Sequence, residues 1–302
     1  MREELRHVRR FLGRVSTGDP EPSIPPYLPP GRIEVLEGRG EVLIRDQEGP
    51  ADAVPVLLLH GWTASADTTF FAAYPALQGR HRVIALDHRG HGRGIRSEEP
   101  FSLEDCADDA VALLDLLDVE RAIVVGYSMG GAIGLLMWHR HAERVAGLVM
   151  QATSLEWRST FFEKAMWRFM TVFDVSMRLG TGEGFIQRYL RLAVEDNPDV
   201  APLKGWVAGE FRRGHPGSLA SAGRRLADFD GRPFASSCTL PCASVITTRD
   251  RLVRAKKQRQ LARAMNCKVF EIDADHDGPL VRAKEFADAT ADAVAHVASG
   301  AR

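Results

Sequence analysis

Apolar residues recur along the chain in two rhythms, and the switches between them lay out an architecture. Ile33-Glu34-Val35-Leu36 and Glu41-Val42-Leu43-Ile44 flank Gly38-Arg39-Gly40, which reads as an antiparallel hairpin. Short runs rich in branched side chains follow near residues 55–59, 82–86, 122–126, 147–152, 243–248 and 268–272, separated by segments of helical period. The helix from Leu103 is well signalled: Ser102 with Asp105 three residues on makes a cap, and Leu103, Cys106, Ala110, Leu113, Leu114 and Leu117 share one face. The alternation predicts an α/β fold, a doubly wound sheet of eight strands whose last six run parallel, with sites at the carboxyl ends. No internal repeat is visible.

Two stretches depart from this rhythm. Residues 153–238 are too long for a simple crossover and show no strand alternation, so they read as an insertion after the sixth strand. Trp157, Phe161, Phe162, Met166, Trp167, Phe169, Met170, Phe173 and Met177 crowd its first third, and residues 180–184 are a glycine-rich hinge candidate. Residues 1–15 carry Met1, Leu5, Val8, Leu12 and Val15 at helical spacing, with five arginines against two glutamates on the other face. That helix suits either a membrane surface or packing on the domain or a second subunit, and its short, charge-diluted stripe favours packing. The prolines between residues 20 and 30 then read as an extended arm.

Composition narrows the class. The 302 residues are 45% apolar, enough to bury one large core, and a net charge of −1 calls for no nucleic-acid partner. No apolar run approaches the roughly 20 residues of a membrane span. The charged N-terminus lacks the apolar stretch of a signal peptide. Cys106, Cys238, Cys242 and Cys267 lack zinc-site spacing and are too few for a disulfide framework. The expectation is a reduced, cytoplasmic setting.

Chemistry enters at Gly126-Tyr127-Ser128-Met129-Gly130-Gly131, which follows the apolar run Ala122-Ile123-Val124-Val125. A serine between strand and helix takes a strained conformation, and glycines two residues either side remove collisions with the neighbouring elements. A serine hydroxyl needs a histidine base, and that base needs a carboxylate to fix its tautomer. Ala243-Ser244-Val245-Ile246-Thr247-Thr248 reads as a strand ending in Arg249-Asp250, and Lys268-Val269-Phe270-Glu271-Ile272 as one leading to His276. Ser128, Asp250 and His276 therefore each fall at the carboxyl end of a predicted strand.

With that order on the page, the chain resembles an α/β-hydrolase fold protein of the serine-esterase type, over roughly residues 32–298. The resemblance implies Ser128 as nucleophile, His276 as base and Asp250 as its partner. Val56-Leu57-Leu58-Leu59-His60-Gly61-Trp62 matches the family's strand and His-Gly pair, which implies an oxyanion hole from the backbone N–H groups of Trp62 and Met129. Asp87-His88-Arg89-Gly90-His91-Gly92 resembles a structural loop of the family. It further implies a helical cap at 153–238 on a core of 32–152 and 239–302, with residues 1–31 as helix and arm. Trp157, Phe161, Phe162 and Met166 would then roof a pocket for an apolar acyl or aryl ester. Serine at the elbow argues against the aspartate-nucleophile dehalogenases and epoxide hydrolases. No cofactor is implied. The same triad could serve a cofactor-free haloperoxidase or perhydrolase, a carbon–carbon bond hydrolase, a lactonase or an acyltransferase, and the fold could serve a non-catalytic receptor.

Several neighbours invite other roles. Asp275 and Asp277 flank His276 where the family has glycine before the histidine, and both would favour imidazolium and compete with Asp250. His60 reads as structural, beneath the oxyanion loop. Asp87, His88 and His91 read as hydrogen-bonding residues of a tight loop rather than metal ligands.

Overall fold

The structure, a computed structural model, describes residues 25–158 and 200–301. The expected helix over 1–15, the hinge at 180–184 and the positions Phe161, Phe162 and Met166 lie outside the described residues.

Eight strands form one sheet in the order β1-β2-β4-β3-β5-β6-β7-β8. β1 (Gly31–Leu36) and β2 (Gly40–Gln47) make the antiparallel hairpin, and β2 runs antiparallel to β4 (Val83–Leu86). β3 (Val56–Leu59), β4, β5 (Ala122–Tyr127), β6 (Val145–Gln151), β7 (Cys242–Thr247) and β8 (Lys268–Ile272) are mutually parallel. The doubly wound sheet expected from the alternation is therefore present.

Strand pleat explains the two-layer core, because successive side chains leave opposite faces. In β3, Leu57 and Leu59 join the cluster under helices α2 (Leu103–Leu116) and α3 (Met129–Arg140). Val56 and Leu58 join the opposite cluster, with Phe70 of α1 (Ala66–Phe70) and Phe286 of the C-terminal helix Ala283–Gly300. All four β3 side chains are fully buried, as a central parallel strand requires. Burying each is worth about 1.5–3 kcal/mol. The predicted cap of α2 forms, with Ser102 Oγ accepting from the Asp105 N–H at 2.9 Å.

Between β6 and β7 the chain leaves the sheet. The helices α4 (Lys204–Arg212) and α5 (Pro216–Asp228) meet the loops that follow β3 and β4. Arg93 Nη2 lies 2.6 Å from Glu210 Oε1, and the Trp62 indole N–H donates to the Leu219 carbonyl at 2.7 Å. The His215 N–H donates to the Gly90 carbonyl at 2.8 Å. Gly90, at φ +74, is needed there: a Cβ would fall 2.2 Å from Ser218 Cβ. Trp157 is 6% exposed and belongs to the buried cluster that also holds Leu155, Leu226 and Phe229, so its ring has a packing role. No helix among the described residues is long and apolar enough to cross a membrane.

Candidate active site

Ser128 joins β5 to α3 at φ 54 and ψ −115, a conformation that L side chains rarely adopt. The glycines beside it answer to sterics. A Cβ on Gly126 would lie 2.3 Å from the Gly130 carbonyl oxygen, and one on Gly130 would lie 2.0 Å from that of Leu59. The elbow's backbone is pinned as well. The Ser128 N–H donates to Gln151 O at 2.8 Å, and its carbonyl accepts from Thr153 Oγ1 at 2.8 Å.

His276 is held at four points. Its Nε2 is 3.0 Å from Ser128 Oγ and its Nδ1 is 2.8 Å from Asp250 Oδ2. With an acceptor carboxylate at Nδ1, the neutral ring carries its proton there and turns the Nε2 lone pair to the serine hydroxyl. The His276 main-chain N–H donates to Asp275 Oδ1 at 2.8 Å, and its carbonyl accepts from the Tyr127 hydroxyl. The Tyr127 ring lies 5.4 Å from the imidazole and meets Phe286 edge-on at 5.6 Å.

This geometry corrects the expectation that Asp275 competes for the imidazole. Asp275 serves main chain instead, also accepting from the Arg251 N–H at 2.9 Å and from the Arg251 guanidinium. Burial alone would raise its carboxyl, but the Arg251 and His276 amides and the guanidinium hold it below the usual range. Asp277 differs: burial first, and the Asp275 charge second, push its carboxyl up. Asp250, 5% exposed, accepts at Oδ1 from the Leu252 and Val253 amides at 2.9 and 2.7 Å.

The loop after β3 lies against the elbow. A Cβ on Gly61 would stand 3.0 Å from Tyr127 Cδ1 and 3.4 Å from Ser128 Cβ. Trp62 is the next residue, half-buried, and Met129 opens α3 with its side chain fully buried. Beneath the loop, His60 donates from Nδ1 to the Gly61 carbonyl and accepts the His88 N–H at Nε2, both at 2.8 Å. Those partners fix one neutral tautomer, and burial pushes the ring down to about 4. His91, 5.4 Å away between ring centres, is pushed by burial down to about 3, and His88, 4.3 Å away, falls well below its ordinary value. Asp87 accepts from the Ala66 and Arg93 amides at 2.8 Å each, and burial pushes it up to about 6. These residues brace the loops, and among the described residues no group of three or more His, Cys, Asp or Glu could hold a metal ion.

At the opposite, amino end of the sheet, Cys238 Sγ lies 3.8 Å from Cys242 Sγ. The neighbouring thiol and burial raise Cys238, so it stays protonated and inert. Residues the pattern did not single out are Tyr127, Thr153, Thr247, Gln258 and Glu210. Tyr127 alone carried a local signal, as the residue inside the elbow motif.

The family model for the alpha/beta hydrolase fold matches residues 54–283. Among curated relatives, 115 residues are 35% identical to the dihydrolipoyllysine-residue acetyltransferase component of the acetoin cleaving system of Pseudomonas putida, covering 38% of this chain and 31% of that protein. A stretch of 91 residues is 37% identical to a non-heme chloroperoxidase of Burkholderia pyrrocinia, covering 30% of this chain and 32% of that one. The chain thus spans about a third of the length of each of these relatives. The enol-lactonase of Burkholderia xenovorans superposes with a TM-score of 0.76 at 22% identity, over 87% of this chain and all of its own. That likeness is one of fold. The matched span, the strand order and the strand–elbow–helix at Ser128 agree, and the chain belongs to the alpha/beta hydrolase fold family.

Proposed function

We propose that this hydrolase cleaves carboxylic esters through an acyl-enzyme on Ser128. The observation that carries the reading is the unbroken relay from Ser128 Oγ to His276 at 3.0 Å and from His276 to Asp250 at 2.8 Å. His276 Nε2 takes the hydroxyl proton as Oγ attacks the acyl carbon, and Asp250 steadies the imidazolium. The Trp62 and Met129 amides hold the oxyanion, at about 3 kcal/mol each. His276 returns its proton to the departing alcohol, and water repeats the attack on the acyl-enzyme. Aromatic and methionine residues at 153–177 favour an apolar acyl or aryl group.

The test is labelling with a fluorophosphonate and location of the adduct by mass spectrometry. Phosphonylation of Ser128, with p-nitrophenyl octanoate turned over faster than the acetate, is the expected result. An adduct on another serine removes the assignment, and preference for acetate removes the apolar acyl group. The chloroperoxidase relative favours a second reading, in which hydrogen peroxide rather than water takes the acyl group and a peracid leaves. Peroxide-dependent halogenation of a phenol in acetate buffer would move the assignment there.

A further inference from the structure

We propose that Thr247 and Gln258 are positioning residues that hold the Asp250 carboxylate at the imidazole. Thr247 ends β7 and Gln258 lies on the helix Ala255–Ala264, and both are 1% exposed. The Gln258 amide has only one orientation that fits its partners. Oε1 accepts the Thr247 N–H at 3.0 Å, and Nε2 donates to the Val253 carbonyl at 2.6 Å. The same Nε2 lies 2.8 Å from Thr247 Oγ1 and 3.1 Å from Asp250 Oδ2. Since the Thr247 hydroxyl accepts there, its single proton goes to Asp250 Oδ2, 2.7 Å away.

The chain of donors is directional: Gln258 N–H to Thr247 O–H to Oδ2, the oxygen that also receives His276 Nδ1–H. Such chains polarise each member toward the charge at their end. Together with the Leu252 and Val253 amides on Oδ1, they leave the carboxylate no free rotation about its Cβ–Cγ bond. A merely architectural role would be met by the main-chain contacts of Gln258 to Thr247 N and Val253 O. The hydroxyl adds nothing to those two main-chain contacts, and its one proton is donated to Oδ2. Without it, Oδ2 keeps only the longer Gln258 contact beside the imidazole, and the lone pair of His276 Nε2 loses its aim at Ser128.

The inference rests on the reading of Ser128 as nucleophile, and the experiment separates the two. Thr247→Val, which keeps shape and removes the hydroxyl, and Thr247→Ser, which keeps the hydroxyl and removes a methyl, are compared with the natural protein. The readouts are the rate of Ser128 phosphonylation by a fluorophosphonate, and kcat and KM for p-nitrophenyl acetate. Thr247→Val is expected to slow labelling and kcat roughly tenfold with KM unchanged. Thr247→Ser is expected to stay within about twofold of the natural protein, since the hydroxyl and its direction survive. Equal labelling of Thr247→Val, or an equal loss in both variants, overturns the positioning role alone. A natural protein that does not label at Ser128 overturns both readings. If Thr247→Val does not fold, Gln258→Met carries the same expectation, and labelling at the natural rate in that variant is the overturning result.

Discussion

The Tyr127 hydroxyl, one residue before the elbow serine, donates to the main-chain carbonyl of His276. Two strands that are far apart in sequence are thereby tied at the point where their tips must cooperate. The bond restrains the backbone of His276 rather than its ring. Tyr127→Phe should keep the fold at a cost of about 1 kcal/mol. With His276 as the proposed base, it should lower kcat roughly tenfold with little change in KM, because an imidazole that drifts loses alignment with the Ser128 hydroxyl. Steady-state kinetics alongside a urea titration would check both numbers.

Ser128 holds a positive φ of 54 that glycine adopts freely and a residue with a Cβ, serine or alanine, only under strain. Ser128→Gly should therefore be more stable than Ser128→Ala by about 1 kcal/mol, although both remove the hydroxyl. Urea midpoints of the two variants measure the strain stored at the elbow. Equal midpoints would mean that the surrounding glycines have already relieved it.

Glu210 is buried, with a side chain 3% exposed, and it faces both Arg93 and Arg213. Removing Arg93 leaves that carboxylate short of a partner, at a cost of about 3 kcal/mol. Arg93→Met should be strongly destabilising, and adding Glu210→Leu should restore much of the loss. A double-mutant cycle in urea reads the coupling directly.

Acid should weaken the fold in a defined window. Burial pushes His60 down to about 4, His91 to about 3 and His88 well below the ordinary 6.5. The unfolded chain protonates these rings near pH 6.5 while the folded one does not, so stability is present above that pH and lost below it. Asp87, pushed up to about 6 by burial, binds its proton in the folded state first and opposes the trend between 6 and 3.8. Asp277, also raised by burial, acts in the same direction, and two carboxyls against three imidazoles leave a net loss. The urea midpoint should fall between pH 7.5 and 5. Among the described residues both ring nitrogens of His88 lack a hydrogen-bond partner, so His88→Leu should flatten that fall without lowering the midpoint at pH 7.5.

The strands and the elbow were legible because each is written locally, as an apolar run or as glycines at fixed offsets from Ser128, whereas the order of the strands in the sheet was not. The ends of β7 and β8 pointed to Asp250 and His276 for the same reason. What joins them was not legible. Tyr127 reaches the His276 carbonyl across 149 positions, and the Trp62 indole reaches Leu219 across 157. Such pairs leave no spacing to read, because the sheet and not the sequence brings them together. Asp275 shows the complementary error. Its neighbourhood to His276 suggested the ring, whereas the turn gives it the amide.

Trp62 follows the glycine that rests on Ser128, while its indole grips the carbonyl of Leu219 in α5. A single side chain thus acts as a tether between the loop beside Ser128 and the helix α5. Any displacement of α5 must either stretch that tether or pull the β3 loop with it, so movement at a helix far along the chain is felt beside Ser128.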